Sequence, residues 1–138
     1  MTRPTRFFVA GTDTGVGKTE VTCALLSLLP RPWAYKPCES GGTGDAEALR
    51  RAGGGWQALD SICRYQLGAP LAPWLAARRE GVHLDFAELL RGFRALGPGP
   101  GVVEGAGGLF VPLTAAHDVV DLASALRLPV VLAGRAGL

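Results

Sequence analysis

The segment 11–19, which reads GTDTGVGKT, constrains this chain more than any other part of it. A short apolar run at 7–10 precedes the segment, and a helix-length stretch at 18–29 follows it before Pro30. A glycine-containing turn between a strand and a helix, ending in Gly-Lys-Thr, is typical of a phosphate-binding loop. The alternative interpretation is a glycine-rich turn without a ligand.

Each residue type in this loop has a physical role in binding phosphate. Glycines let the backbone approach phosphate oxygens, and the amides at a helix N-terminus favour an anion. Lys18 is expected to neutralise phosphate charge, and the hydroxyl of Thr19 is expected to bind Mg²⁺. The loop residues predicted to contact nucleotide are Gly15, Val16, Gly17, Lys18, Thr19 and Glu20.

The loop is a variant of the common Gly-x-x-x-x-Gly-Lys-Thr pattern. Five residues separate Gly11 from Gly17, and Thr12 stands at the usual glycine position. The partitioning and septum-positioning ATPases have a similar loop but carry a signature lysine where Asp13 stands in this chain. Membrane-linked or DNA-linked switching of their kind is therefore not expected.

Short apolar segments alternate with helix-length segments along the rest of the chain. Strands are predicted at 7–10, 33–36, 102–104 and 129–133, and helices at 18–29, 45–52, 70–79, 85–96 and 118–126. Glycine-rich loops or turns are predicted at 39–44, 53–55 and 105–108. Because the strands lack alternating polarity, we expect them to be buried on both faces. The predicted fold class is α/β, a P-loop NTPase-like parallel sheet with helices on both faces.

Composition limits the possible classes of protein. The chain has 138 residues, 48% of them hydrophobic and 19% charged, which predicts one packed domain over residues 1–138. Its 14 basic and 12 acidic side chains are dispersed, without the basic runs typical of nucleic-acid or membrane binding. No stretch approaches the roughly 20 apolar residues that cross a bilayer. The three cysteines have no metal-ligand spacing, so we expect a soluble cytoplasmic protein with reduced thiols, no nucleic-acid partner and no membrane partner.

Lysine is rare in this chain, since only Lys18 and Lys36 accompany the arginines among the 14 basic residues. Arginine supplies the ordinary surface cations, so each lysine suggests a specific role. Lys36 closes a predicted strand directly before Pro37. The alternative is that nucleotide composition made lysine rare and left two by chance.

Two carboxylates, Asp45 and Glu104, stand just after a predicted strand or at a helix start. Ligands at the carboxyl ends of parallel strands can converge, and with Thr19 they would provide hard oxygen ligands for Mg²⁺. An alternative role for Asp45 is a simple helix N-cap. Glu104 is harder to explain by packing, because an unpaired buried charge is costly.

Four motifs, in the same order along the chain, resemble the dethiobiotin synthase family. They are the loop at 11–19, Tyr35-Lys36-Pro37 with Ser40-Gly41, Asp45-Ala46, and the segment VEGAGG at 103–108. Pro70-Leu71-Ala72-Pro73 and Pro112-Leu113 agree as well. The resemblance spans essentially the whole chain and corresponds to the N-terminal portion of the family.

The resemblance implies a ligase of biotin biosynthesis that uses ATP and Mg²⁺ to convert diaminopelargonate and carbon dioxide to dethiobiotin, ADP and phosphate. In the family, ATP phosphorylates a carbamate of one amine, and the second amine closes the ring. It implies that Lys18 and Lys36 are catalytic and that Ser40 and Lys36 bind substrate. The remaining implied residues are Thr19, Asp45 and Glu104 as magnesium ligands, and Asp45, Glu104, Gly105, Ala106 and Gly107 at the nucleotide.

The chain is expected to lack the family's C-terminal part, which carries adenine recognition and much of the contact of the homodimer expected for full-length members. Two alternatives stay open. One is a truncated or degenerate, non-catalytic nucleotide-binding module. The other is a ligase of the cobyrinate diamide synthase type, which would normally carry a glutaminase domain. His83 and His117 lack a partner at recognisable spacing and are expected at the surface.

Overall fold

Strands and helices alternate along the chain in the computed structural model, which describes Arg3 and residues 5–137. The strands are β1 Arg6–Gly11, β2 Trp33–Tyr35, β3 Cys38–Ser40, β4 Tyr65–Leu67, β5 Gly101–Gly108 and β6 Val130–Ala133. The helices are α1 Lys18–Leu28, α2 Gly44–Ala52, α3 Leu59–Ile62, α4 Pro73–Glu80, α5 Phe86–Arg94 and α6 Val119–Leu126. In this described part of the chain, no helix is both long and apolar enough to cross a membrane.

The main sheet is parallel and has the strand order β2-β5-β1-β6. Neighbouring residues of β1 face opposite sides, so Phe8 and Val9 belong to two different hydrophobic clusters. The cluster around Phe8 includes residues of α4, α5 and α6, whereas the cluster around Val9 includes residues of α1, α2 and α3. The predicted α/β fold, with helices on both faces of a parallel sheet, is confirmed.

A second, two-stranded parallel sheet pairs β3 with β4. The sequence predicts a glycine-rich loop from residue 39, and this is wrong for the first two positions, which belong to β3. The amide of Lys36 donates to the carbonyl of Ile62, and the amide of Tyr65 donates to the carbonyl of Pro37. These bonds hold the chain after β2 in an extended path beside β4.

Strand β5 is longer than predicted, because Gly105–Gly108 continues it where a turn is expected. The pairing of β1 with β5 shifts register between Val9 and Gly11, and Gly11 then lies opposite Gly108. A Cβ atom at Gly108 would lie 2.9 Å from the carbonyl oxygen of Thr12. The small residue is therefore needed for a close approach of backbones and does not mark a turn.

Helix α4 begins three residues later than predicted, at Pro73 instead of Pro70. Ala72 has an extended ψ of 144°. A residue before proline is sterically kept out of the helical region, and this explains the later start.

Strand β6 lies at the edge of the sheet and is not fully buried, contrary to the expectation from its apolar sequence. Val130 is 50% exposed and Leu132 is 56% exposed, while Val131 packs against the cluster around Val9. Within the described residues β6 pairs only with β1. The apolar sequence of β6 predicts burial, but it does not show which of the two faces of the strand is covered by other residues.

Alkylation of Cys38 and Cys63 is expected to require unfolding of the protein. Both are buried free thiols; burial raises the pKa of Cys63 to about 12 and also raises the pKa of Cys38. Because the thiolate is the nucleophile, iodoacetamide near pH 8 should label at most the half-buried Cys23 in the native protein and all three thiols in denaturant. Mass spectrometry gives the number of labelled cysteines, and rapid labelling of all three in the native protein would contradict the prediction.

Candidate active site

One cleft of about 680 Å³ opens where the carboxyl ends of β1, β2 and β5 meet. This is the edge at which open parallel sheets usually bind ligands. The residues that line it come from the phosphate loop, α1, the chain after β2, α2, the segment before α4, and the end of β5. They are Thr14, Gly15, Gly17, Lys18, Thr19, Glu20, Lys36, Glu39, Ser40, Asp45, Pro70, Leu71, Ala72, Pro73, Ala106, Gly107 and Val111.

The phosphate loop ends at Gly17, which is the N-cap of α1 and has a left-handed φ of 100°. This conformation favours glycine, and a glycine has no side chain with which to cap the helix. The amides of the first turn of α1 are therefore left for an anion in the cleft. Val16 does not line the cleft, whereas Glu20 is exposed at its rim.

Lys18 lies against the loop, 7% exposed, and its Nζ donates to the carbonyl oxygen of Asp13 at 3.3 Å. A Cβ atom at Gly11 would lie only 2.9 Å from Cδ of Lys18. Burial lowers the pKa of Lys18, and the nearby cation of Lys36 lowers it further. A buried ammonium beside a second cation is a strong site for an anion.

Lys36 and Glu104 form a buried ion pair beneath the cleft. Nζ of Lys36 lies 3.4 Å from Oε2 of Glu104 and 3.6 Å from Oδ2 of Asp45, and it donates to the carbonyl oxygen of Gly105 at 3.4 Å. Thr19 completes the group, because its hydroxyl donates to Oε1 of Glu104 at 2.8 Å. Burial raises the pKa of Glu104, and the opposing effect of Lys36 is smaller.

The oxygen atoms of this group fit Mg²⁺ bound together with a nucleotide. Oε2 of Glu104 is buried and has no hydrogen-bond partner among the described residues, and the carboxylate of Asp45 is 52% exposed. The described part of the chain has no cluster of three or more His, Cys, Asp or Glu side chains that could hold a metal. Mg²⁺ needs no such cluster, because it usually takes one or two carboxylates together with waters and substrate phosphates.

Ser40 contributes a second unsatisfied polar atom at the cleft. Its Oγ is buried and makes no hydrogen bond to any described residue. Another part of the lining is apolar and is formed by Pro70, Leu71, Ala72 and Val111. The cleft therefore combines a charged floor with an apolar side.

The structure brings most of the predicted site residues to this one cleft. Glu104 lies beneath it, whereas Gly105 does not line it and would place a Cβ 2.9 Å from Val119 of α6. Thr43 is the N-cap of α2, so the alternative role of Asp45 as that cap is wrong. His117 lies outside the cleft and stacks on Phe86 at 3.9 Å.

Glu39 is the charged residue of the cleft that sequence reasoning missed. It is 6% exposed, and its carboxylate accepts the amides of Ala46 at 2.7 Å and Asp45 at 3.0 Å. Burial raises the pKa of Glu39, and these two hydrogen bonds oppose the rise. The signal in the sequence is a carboxylate directly after Cys38, three positions beyond the strand predicted at 33–36.

Comparison with known proteins identifies one family and several relatives of this chain. A family model described as "AAA domain" matches residues 5–138. The "ATP-dependent dethiobiotin synthetase BioD" of Anaeromyxobacter dehalogenans (strain 2CP-C) is 50% identical over 141 residues, which are 95% of this chain and 63% of the relative. The protein of the same name from Aromatoleum aromaticum is 41% identical over 146 residues, 96% of this chain and 65% of the relative.

A longer relative also matches. The "Biotin biosynthesis bifunctional protein BioCD" of Bordetella avium is 43% identical over 149 residues, which cover 99% of this chain and 29% of that protein. The chain thus spans 63% of the length of its Anaeromyxobacter dehalogenans relative. It belongs to the AAA-domain family and resembles the N-terminal part of dethiobiotin synthetases.

Proposed function

We propose that this chain is the nucleotide-binding part of an ATP-dependent ligase that converts diaminopelargonate and carbon dioxide to dethiobiotin. The observation that carries the proposal is the meeting of two buried lysines with Thr19, Asp45 and Glu104 beside a phosphate loop. The names of the relatives support the same reaction. Small-molecule substrates suit a cleft of about 680 Å³.

The proposed reaction gathers negative charge in one place. A carbamate oxygen attacks the γ-phosphorus of ATP and ADP leaves; the second amine then attacks the carbamate carbon, and phosphate leaves as the ring closes. The first amine loses a proton when it forms the carbamate with carbon dioxide, and the second amine loses a proton when it closes the ring. Phosphoryl transfer depends chiefly on positioning and electrostatic stabilisation, so cations held in place before the reaction are the main requirement.

Lys18 and Lys36 would supply these cations at different steps. Lys18 lies against the loop, where it would bind the phosphates that are transferred and released. Lys36 is 4% exposed and is held by Glu104, Asp45 and the carbonyl of Gly105, so its ammonium is fixed before substrate arrives. We assign it to the carbamate and to the charge on the phosphorylated intermediate.

Ser40 and the apolar wall would bind the diamine. The unsatisfied Oγ of Ser40 offers a hydrogen bond to a polar group of the substrate. The side chains of Pro70, Leu71 and Ala72 offer an apolar surface to its alkyl chain.

Thr19, Asp45 and Glu104 would hold Mg²⁺ with the nucleotide. When bound, the ion neutralises phosphate charge and orients the nucleotide. The buried Oε2 of Glu104 supports this assignment, because it is a hard oxygen that has the ion pair with Lys36 at 3.4 Å but no hydrogen bond among the described residues. Ala106 and Gly107 line the same cleft and would let the backbone approach the nucleotide.

The proposal includes a cytoplasmic location and, for the full-length protein, a homodimer. The free state of Cys23, Cys38 and Cys63 supports a reducing compartment. Neither a nucleic acid nor a membrane is proposed as partner, since the charges are dispersed along the chain.

A chimera tests the activity. This chain should replace the matching N-terminal part of the Anaeromyxobacter dehalogenans relative and support formation of dethiobiotin from diaminopelargonate, bicarbonate and Mg²⁺-ATP. Mass spectrometry of the product is the readout, and the same chimera with Lys36→Met is the inactive control. A chimera that binds ATP without forming product would indicate a non-catalytic nucleotide-binding module.

Gly11→Ala is expected to weaken Mg²⁺-ATP binding about tenfold, because the added methyl group displaces the stem of Lys18 and the charge-assisted contact it would make. Gly134→Ala is the matched control, since its Cβ would meet the side chain of Thr12 at an ordinary 3.5 Å. Calorimetry measures both affinities. Equal affinities in the two variants would contradict the placement of Lys18.

A further inference from the structure

Glu39 has no part in the reaction as proposed, although it is buried in the wall of the cleft. Its strand, β3, is paired with β4 and carries Ser40 at the next position. Both oxygens of Glu39 are engaged, with Oε1 accepting the amide of Ala46 and Oε2 accepting the amide of Asp45. The carboxylate thus ties the first turn of α2 to a neighbouring strand.

Helix α2 has no local cap of the usual kind. Its N-cap residue, Thr43, makes no side-chain cap hydrogen bond, and the Thr43 hydroxyl donates instead to Glu47 at 3.2 Å. A capping side chain at position 43 would accept one of the same amides, of Asp45 or of Ala46. A carboxylate from β3 additionally fixes where the helix begins relative to the strand.

We propose that Glu39 is a positioning residue that holds the start of α2 against β3, so that Asp45 faces Lys36 across 3.6 Å at the cleft. The side chain of Asp45 is 52% exposed, and its backbone amide donates to Oε2 of Glu39. Without the tie, the buried Leu49 in the second turn keeps α2 packed, but the first-turn amides of Asp45 and Ala46 lose their acceptor on β3 and this turn can shift. The proposal rests on the role proposed above for Asp45 in binding Mg²⁺ with the nucleotide.

Amide exchange tests the tie without any ligand. Glu39→Gln keeps the shape of the side chain but turns one acceptor oxygen into a donor that opposes an amide. The amide protons of Asp45 and Ala46 should exchange about tenfold faster in this variant, as expected for the loss of a hydrogen bond to a charged group. Exchange at the native rate would overturn the proposal.

Asp85→Ala is the matched control for a lost helix cap. Asp85 caps α5 by accepting the amide of Ala87 at 3.0 Å, and it does not line the cleft. The control should speed exchange at Ala87 and leave Asp45 and Ala46 at their native rates.

The magnesium dependence of ATP binding tests whether Glu39 positions Asp45 for binding Mg²⁺ with the nucleotide. Glu39→Gln should weaken ATP binding about tenfold in saturating Mg²⁺, as outer-shell changes do, and less than about twofold in EDTA. Asp85→Ala should change neither affinity. An equal loss in both media would mean that Glu39 only stabilises the fold, and the positioning role would be wrong.

Two further outcomes, a Glu39→Gln variant that does not fold and a native chain that binds no ATP, can be distinguished from the results above. If Glu39→Gln does not fold, Glu39→Asp retains the charge but is one methylene too short to reach both amides, and the same measurements then decide. If the native chain binds no ATP in either medium, the proposed function fails, while amide exchange still decides whether Glu39 ties α2 to β3.

Discussion

Replacing Lys36 with methionine is expected to lower the free energy of unfolding by about 3–5 kcal/mol and to abolish dethiobiotin formation. Glu104 is 0% exposed, and Lys36 is the cation 3.4 Å from its Oε2. The variant keeps most of the apolar stem but leaves the carboxylate buried without a counter-charge. Urea unfolding of the chain and product assays of the chimera measure the two effects, and ATP binding should be retained.

The double variant Lys36→Met/Glu104→Gln separates stability from chemistry. It removes both charges, so most of the lost stability should return, since neutral replacement of a buried pair is often tolerated. Product formation should not return, because the proposed carbamate-binding cation is still missing. A single variant that loses less than about 1 kcal/mol would contradict the buried ion pair, because exposed pairs contribute about that much.

The stability loss in Lys36→Met should depend on pH. Burial raises the pKa of Glu104 above its usual value of 4.5, and removing Lys36 removes the main opposing charge. A carboxyl whose pKa is higher in the folded state binds more protons there, so its unfavourable effect is absent below the unfolded pKa and grows as pH rises. The difference in unfolding free energy between native and variant should therefore be larger near pH 8 than near pH 5. The reverse order would contradict this.

The phosphate loop could be predicted from sequence because its signal is local. A short apolar strand, glycines and a lysine at the start of a helix lie within one continuous stretch, and the observed α1 begins at the predicted Lys18. Lys36 and Glu104 could be found for a related reason. Each is a charge at or directly after a buried strand segment, where packing alone does not explain it.

The tie between Glu39 and α2 could not be predicted, because it depends on pairing between distant segments. Strands β3 and β4 have three residues each, too few for any periodicity, and their pairing joins Cys38 to Tyr65. Gly105–Gly108 has the composition of a turn, and only the close approach of Thr12 to Gly108 and of Val119 to Gly105 shows why a strand needs such small residues. In both cases the deciding contact comes from another part of the chain.

Removing the other lysine should have a contrasting effect: Lys18→Ala is expected to weaken Mg²⁺-ATP binding by up to about 100-fold without lowering stability. Burial and the nearby Lys36 both lower the pKa of Lys18, so its charge is unfavourable before an anion binds, and removing it relieves repulsion. Arg51→Ala, an exposed change on α2, removes the same charge outside the cleft and should leave affinity unchanged. Calorimetry with ATP and a slowly hydrolysed analogue, beside thermal unfolding, measures both effects. Unchanged affinity in Lys18→Ala would show that the loop does not bind phosphate, whereas a large loss of stability would mean that Lys18 holds the fold rather than the nucleotide.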